Sequence, residues 1–347
     1  MKKKNTYNGN SLKRKFRLSE FLAEYIIKSV AFISFAVIIL IFVFVFRETL
    51  PIFSPGEAKT STEDFSQSES YGEEESTTEI PAENYNSFTS GKKDEADIAN
   101  LTGKDWQPVG EEPKYGLMPL IMGSLKVTVM AILFGAPLAI LAAVFSAFFA
   151  PRKLREIIKP IIELLASFPS VVIGFFALAV FATVFQDLFG FGYRLNAFVG
   201  GIAMALAVIP IVYTVTEDSL MAIPKYMTEA SYALGANKWQ TALFVVLPAA
   251  TPGIFAALLL GFGRAFGETM IVLMATGNAP LTSLNPFEPV RTLSATIGAE
   301  MAEVVFGDTH YTVLFLIGSL LFIVTFIINA IAEFYVRARL MKKFRGE

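Results

Sequence analysis

The chain has 347 residues, 54% of them hydrophobic and 33 of them Phe, with a net charge of −2. That apolar share and a mean hydropathy of +0.53 argue against a soluble domain and for a polytopic membrane protein. With no Cys and a single His, His310, disulfides, thiolate metal sites and most His- or Cys-based catalytic arrangements are excluded.

In chain order, residues 1–26 form a basic segment carrying Lys2, Lys3, Lys4, Lys13, Arg14, Lys15 and Arg17. An apolar run at 27–46 is long enough to cross a bilayer, which takes about 20 apolar residues. No cleavage-site pattern follows it, so it reads as an anchor and not as a removed leader. Residues 47–116 form an acidic insert. Between 56 and 115 there are 15 Asp and Glu against 5 Lys and Arg, a local charge of −10, which leaves +8 elsewhere. The stretch 56–100, rich in Glu, Ser and Thr, predicts a disordered linker, with contact to an external partner as the alternative. Trp106 lies in this insert.

Residues 117–340 form the main body, with further spans at 118–149, 167–186, 196–216, 251–276 and 311–335, followed by a basic tail at 341–347. The second span is too long for a perpendicular helix, so Pro137 is expected to kink it. Lys126 then falls near the membrane boundary, where its ammonium can snorkel to water; a ligand role is the alternative. Ser167-Phe168-Pro169-Ser170 reads as the start of the third span, with Pro in its first turn and hydroxyls at hand for capping. His310 is expected to be an interfacial residue at the outer end of the sixth span.

Orientation follows from Lys and Arg near the span ends. The N-terminal segment, the 151–160 loop (Arg152, Lys153, Arg155, Lys159), the 217–250 loop (Lys225, Lys238) and the C-terminal tail all fall on one side. Both termini are therefore expected in the cytoplasm and the acidic insert outside.

The 217–250 loop is patterned. Its segment EASYALGANKWQTALFVVLP runs from Glu229 to Pro248. Ala230, Ala233 and Ala236 recur every third residue and give a helical segment a smooth flank for a partner. Gly235 can take the left-handed conformation that ends a helix, and Leu247-Pro248 precedes the next apolar run. Trp239 is expected to pack on the membrane face or on a partner.

Arg264 and Glu268 stand within the fifth span. A charge at that depth costs about 2.5–3.5 kcal/mol or more and must face protein or water. Four residues apart on one helix, they are expected to share a face and to pair. Two readings stay open: a structural ion pair, or an anion pathway in which Arg264 offers donors to oxyanion oxygens and Glu268 holds it in a closed gate. Gly261, Gly263 and Gly267 lack dinucleotide-loop spacing and read as points of close helix contact. No G-x-x-x-x-G-K-[ST] loop occurs, so the chain is not expected to hydrolyse ATP; no catalytic or metal site, bound cofactor or nucleic-acid surface is expected.

Four stretches together resemble the PstC-type permease of the phosphate ABC importer: IIKPIIELLASFPSVVIGFFAL, the segment above, FGRAFGETMIVLMATGN and VRTLSATIGAEMAE. The 229–248 segment resembles the EAA loop of ABC importer permeases in general, and the R-A-x-G-E-T-M run is more specific. The resemblance covers nearly all of 115–340 and implies an all-α, six-helix polytopic protein of the type I ABC importer permease fold in a prokaryotic inner membrane. It implies inorganic phosphate as substrate, with Arg264 and Glu268 on the translocation route. Glu229, Ala230, Gly235, Leu247 and Pro248 would contact an ABC ATPase dimer that uses ATP-Mg. The implied partners are a PstA-like permease and an extracytoplasmic phosphate-binding protein. A permease for another oxyanion, such as molybdate or sulfate, and a membrane signalling component remain the alternatives.

Overall fold

A computed structural model describes residues 18–53, 98–110 and 112–345. The acidic tract expected to be a linker lies almost wholly outside the described residues, as does most of the basic N-terminal segment. Among the described residues six helical stretches are long and apolar enough to cross a membrane: Glu24–Phe53, Met118–Phe149, Ser170–Phe189, Ala197–Met221, Lys238–Phe266 and Thr309–Phe334.

The chain divides into two units, Met1–Glu48 and Thr49–Glu347. Helix α1 (Leu18–Phe53) supplies the first. From Leu22 to Phe44 its large apolar side chains are exposed, as suits a helix solvated by lipid.

The second unit begins its described core with α2 (Ile98–Leu101) and a small hairpin of β1 (Trp106–Gln107) and β2 (Lys114–Tyr115). The C-terminal part of the insert is therefore folded. Buried Leu101, Trp106, Tyr115 and Leu117 explain why, since they pack against Leu293, Val313, Leu314 and Ile317. Helix α3 (Met118–Val144) continues through a π-helical turn to Phe149. Next come α4 (Arg152–Ser167), α5 (Ser170–Phe176), a second π turn at Ala177–Phe181, and α6 (Ala182–Phe189). Pro169 occupies the cap position of α5 and no side chain caps that helix, while Ser167 Oγ instead bonds Leu164 O within α4. The expected hydroxyl capping is not made.

Helix α7 (Ala197–Met221) is the most enclosed span, with 61% of its apolar window buried against 44% for the α3 span. Their contact is lined by small residues, among them Ala131, Ala139, Ala143, Ala203 and Ala207, which let two backbones approach where lipid supplies no hydrophobic drive. After α7 come the short helices α8 (Lys225–Ala233) and α9 (Lys238–Gln240), a third π turn at Thr241–Val246, and α10 (Leu247–Phe266). The remaining elements are α11 (Met270–Ala275), α12 (Leu293–Glu300) and α13 (Thr309–Arg345). Helix α13 runs past the expected end of the sixth span and takes in most of the basic tail.

Candidate functional site

The α8 end of the molecule is built around one glycine. Gly235 has φ +84 and donates its N–H to Tyr232 O at 2.9 Å, closing α8. Ala236 N–H returns to Ser231 O at 3.2 Å. Asn237 and Gln240 then form a reciprocal capping box that starts the next helix. Ser231 and Thr241 hydroxyls, both buried, meet at 2.9 Å and fasten α8 to the helix that follows it. Glu229, Ala230, Ala233, Leu234 and Gly235 face outward, and Leu234 is 90% exposed. Trp239 is exposed on its outer side and lies against Phe149, ring centroids 4.2 Å apart.

Leu247 and Pro248 do not bound this loop. The helix is already continuous from Lys238, and the two residues sit beyond the third π turn, inside the membrane-length stretch. The capping box at Asn237 starts the helix a dozen residues before the apolar run that marks it in sequence. The most exposed part of this end is α8 with its Gly235 turn, and the helix that follows also presents Trp239 and Phe244 outward.

Arg264 and Glu268 are separated by a break. Helix α10 ends at Phe266 with Gly267 as its cap, and α11 starts at Met270. Glu268 thus lies in the connection between two helices, and the expected four-residue pairing on one face is not made. Among the described residues no ion pair joins them. Arg264 occupies the last turn of α10, where a cation meets the negative end of the helix dipole, and its side chain is exposed on the chain's surface. The broken backbone is satisfied from α12: Ser294 Oγ donates to Glu268 O at 2.6 Å. Val290 N–H donates to Thr276 O at 3.1 Å. Non-helical backbone at membrane depth requires such enclosure. Gly261 faces Val208 and Val212 of α7, and Gly263 faces Asn329 of α13, so both mark close helix contacts.

At the hairpin end lies a polar knot that sequence patterning did not reveal. Glu300 Oε1 is 2.6 Å from Arg291 Nη2 and accepts from Trp106 Nε1 at 3.1 Å, while its Oε2 meets His310 Nε2 at 2.9 Å. All four residues line a cavity of about 560 Å³. His310 is thus a half-buried partner of a carboxylate rather than a free interfacial residue. Its only sequence signal was its being the sole His. Lys126 Nζ donates to Asn285 O at 3.1 Å, in the connection between α11 and α12. In the same connection, donation from Ser283 and then Asn285 holds the Glu288 carboxyl below its ordinary range.

A second buried group was also missed. Glu217, near the end of α7, is only 2% exposed. Its Oε1 accepts from Ser146 Oγ at 3.2 Å, and Lys159 Nζ of α4 stands 3.2 Å from its Oε2. The Lys159 contact is ionic and poorly aligned as a hydrogen bond, leaving Oε2 without a well-directed donor. The close Glu217 carboxylate raises the Lys159 pKa, against the lowering effect of burial.

The profile of binding-protein-dependent transport system inner membrane components matches residues 135–340, more than half of the chain. A probable ABC transporter permease protein, YqgH of Bacillus subtilis, is 36% identical over 230 residues, which cover 66% of this chain and 74% of that protein. The phosphate transport system permease protein PstC of Mesorhizobium japonicum is 34% identical over 253 residues, covering 67% and 76%. PstC 1 of Mycobacterium tuberculosis is 31% identical over 253 residues, covering 66% and 74%. Among solved structures, an inward-facing MetNI methionine ABC transporter aligns with TM-score 0.47 and 21% identity over 64% of this chain and 94% of that one. With six membrane-length helices among the described residues and a family match over residues 135–340, the architecture is that of an ABC importer permease, a transport subunit and not an enzyme. The chain belongs to the binding-protein-dependent transport system inner membrane component family.

Proposed function

We propose that this chain is one of two permease subunits that together carry inorganic phosphate across a prokaryotic inner membrane, paired with a PstA-like sister. The observation that carries the reading is Arg264: a guanidinium on a membrane helix, exposed on this chain's own surface and without an ion-pair partner among the described residues. A bare guanidinium facing lipid is costly, so a second subunit and a hydrated path must cover it. Its planar set of donors suits phosphate oxygens. Glu268, in the helix break four residues on, is a second polar group for the same path and does not pair with Arg264.

Basic residues cluster at the α8 end, including Arg152, Lys153, Arg155, Lys225 and Lys238, which supports a cytoplasmic location for that end and for both termini. There α8 and Gly235 offer an exposed, partly apolar face to an ABC ATPase dimer, and ATP-Mg is used by that partner. The hairpin end then faces the extracytoplasmic phosphate-binding protein.

The test is a complex reconstituted in proteoliposomes with the ATPase, the sister permease and the binding protein. ATP turnover is expected to rise with phosphate-loaded binding protein, and Arg264→Gln to abolish phosphate uptake while leaving assembly intact. Normal uptake by Arg264→Gln would overturn the pathway assignment. Stimulation by molybdate or sulfate in place of phosphate would transfer the same pathway to another oxyanion, since a guanidinium recognises charge and shape.

A further inference from the structure

The three polar residues Tyr213, Thr216 and Glu217 occupy one face of the last turns of α7 and are all buried to 2% exposure or less. Among the described residues the Thr216 hydroxyl and Glu217 Oε2 lack a well-directed hydrogen-bond partner, and the Tyr213 hydroxyl has only Ser146 beside it. So much unmatched polarity inside an apolar helix is expensive, and a lone buried carboxylate would be the costliest part of it. Glu217 is held by groups from two other elements. Ser146, in the π turn that ends α3, donates to one carboxylate oxygen; Lys159 of α4 neutralises the other. The two elements are themselves tied, because Arg155 of α4 donates from Nε and Nη2 to Ser146 O at 2.9 and 2.7 Å. The result is a closed polar ring of the α3 π turn, α4 and α7.

The position of this ring gives it a consequence. Only Ala222, Ile223 and Pro224 separate the end of α7 from α8, and α8 is fastened on its other side by Ser231 to Thr241. A force applied to α8 reaches the membrane helices through these two attachments. Helix α4 has no fully buried residue of its own, so it lacks the interdigitated core that would otherwise hold it to α7. Its apolar contacts with the core are partial, through Ile158 and Ile162.

We propose that the Glu217–Lys159 ion pair is a positioning element for transport: it makes α3, α4 and α7 move as one body when the ATPase displaces α8. Pulling α4 away from α7 would leave Glu217 buried and uncompensated, so the pair penalises slippage and not rigid motion. Neither residue touches the transported anion. The proposal rests on the reading of α8 as the ATPase contact.

The experiment measures phosphate taken up per ATP hydrolysed in the reconstituted complex, together with retention of the ATPase during purification. Lys159 is the residue to change first, because its side chain is 40% exposed and its loss need not unfold the chain. Lys159→Gln is expected to assemble normally, to keep ATP turnover, and to lower uptake per ATP by about fivefold or more, the scale of a typical coupling term. Lys159→Arg retains the charge and is expected to stay within about twofold of the native ratio. Glu217→Gln should resemble Lys159→Gln where it assembles. A native ratio in Lys159→Gln would overturn the proposal. So would loss of assembly in Lys159→Gln, because the pair would then be a folding element. Leu234→Asp serves as a separate control: if that complex keeps its ATPase, the α8 reading fails by itself, whatever the Lys159 variants do.

Discussion

Trp106 and Glu300 are 194 residues apart in sequence, yet the indole Nε1 donates to the carboxylate at 3.1 Å. This bond ties the hairpin before the first core helix to the end of α12. Arg291 and His310 converge on the same carboxylate, and Trp106 and Tyr115 flank the imidazole with ring centroids 6.2 and 6.1 Å from it.

The knot sets an order of stabilities. Trp106→Phe keeps one aromatic ring but loses the pyrrole part of the buried indole and with it one hydrogen bond to a charged group, the bond alone being worth about 1.5–3 kcal/mol. Glu300→Gln strips the charge from a carboxylate that holds Arg291 in a largely enclosed site, and should cost about 3–5 kcal/mol. Thermal unfolding of the purified complex, followed by intrinsic fluorescence or scanning calorimetry, should rank native above Trp106→Phe above Glu300→Gln. The reverse order would mean that Arg291 finds another partner.

Gly235 tests the turn behind the proposed ATPase contact. A Cβ there would meet nothing within 4 Å, so any penalty comes from φ +84 alone. Gly235→Ala is expected to cost about 1–2 kcal/mol locally, and Gly235→Asn less, since Asn tolerates the left-handed region. ATPase retained on the permease during purification should fall in the same order, Val being the worst. Equal retention across the series would show that the turn geometry is irrelevant to docking.

Gly261 tests packing in place of backbone conformation. Its Cβ would stand 2.7 Å from Val212 Cγ2 and 3.1 Å from Val208 Cγ1. Gly261→Val forces α10 away from α7 and should cost about 1–3 kcal/mol by overpacking. The measurement is thermal stability of the chain, with Val212→Ala as the second-site change expected to recover part of the loss.

The ring at α4 has a defined pH response. Because the Lys159 pKa is raised in the folded chain, its contribution is fully present below the ordinary value of 10.5 and is lost as pH rises through the raised value. Native protein should therefore be more stable than Lys159→Gln through the neutral range, and the gap should close at strongly alkaline pH as Lys159 loses its proton. Melting curves against pH check this. Convergence at neutral pH would show that the pair is not charged as described.

Much of this molecule is written in local sequence. The spans follow from composition and length alone, because lipid demands about 20 apolar residues per crossing wherever it is met. The Gly235 turn follows from a residue type that alone accepts positive φ at no steric cost. Charge asymmetry set the expected orientation without reference to any fold. What sequence could not decide is where the fifth helix ends and which polar groups meet. Apolar residues resume directly after 264–269, so span length alone reads one helix through to 276 and does not register that Gly267 ends α10 or that Ser294 of α12 takes up the freed Glu268 carbonyl. Likewise Glu217 and Lys159 look like ordinary loop-flanking charges, and Glu300 and His310 like interfacial ones. Lys159 lies 58 residues before Glu217 and Trp106 lies 194 before Glu300, while Arg291 and His310 flank Glu300 at 9 and 10 residues with no helical spacing to announce it; only the packed structure brings these groups to their carboxylates.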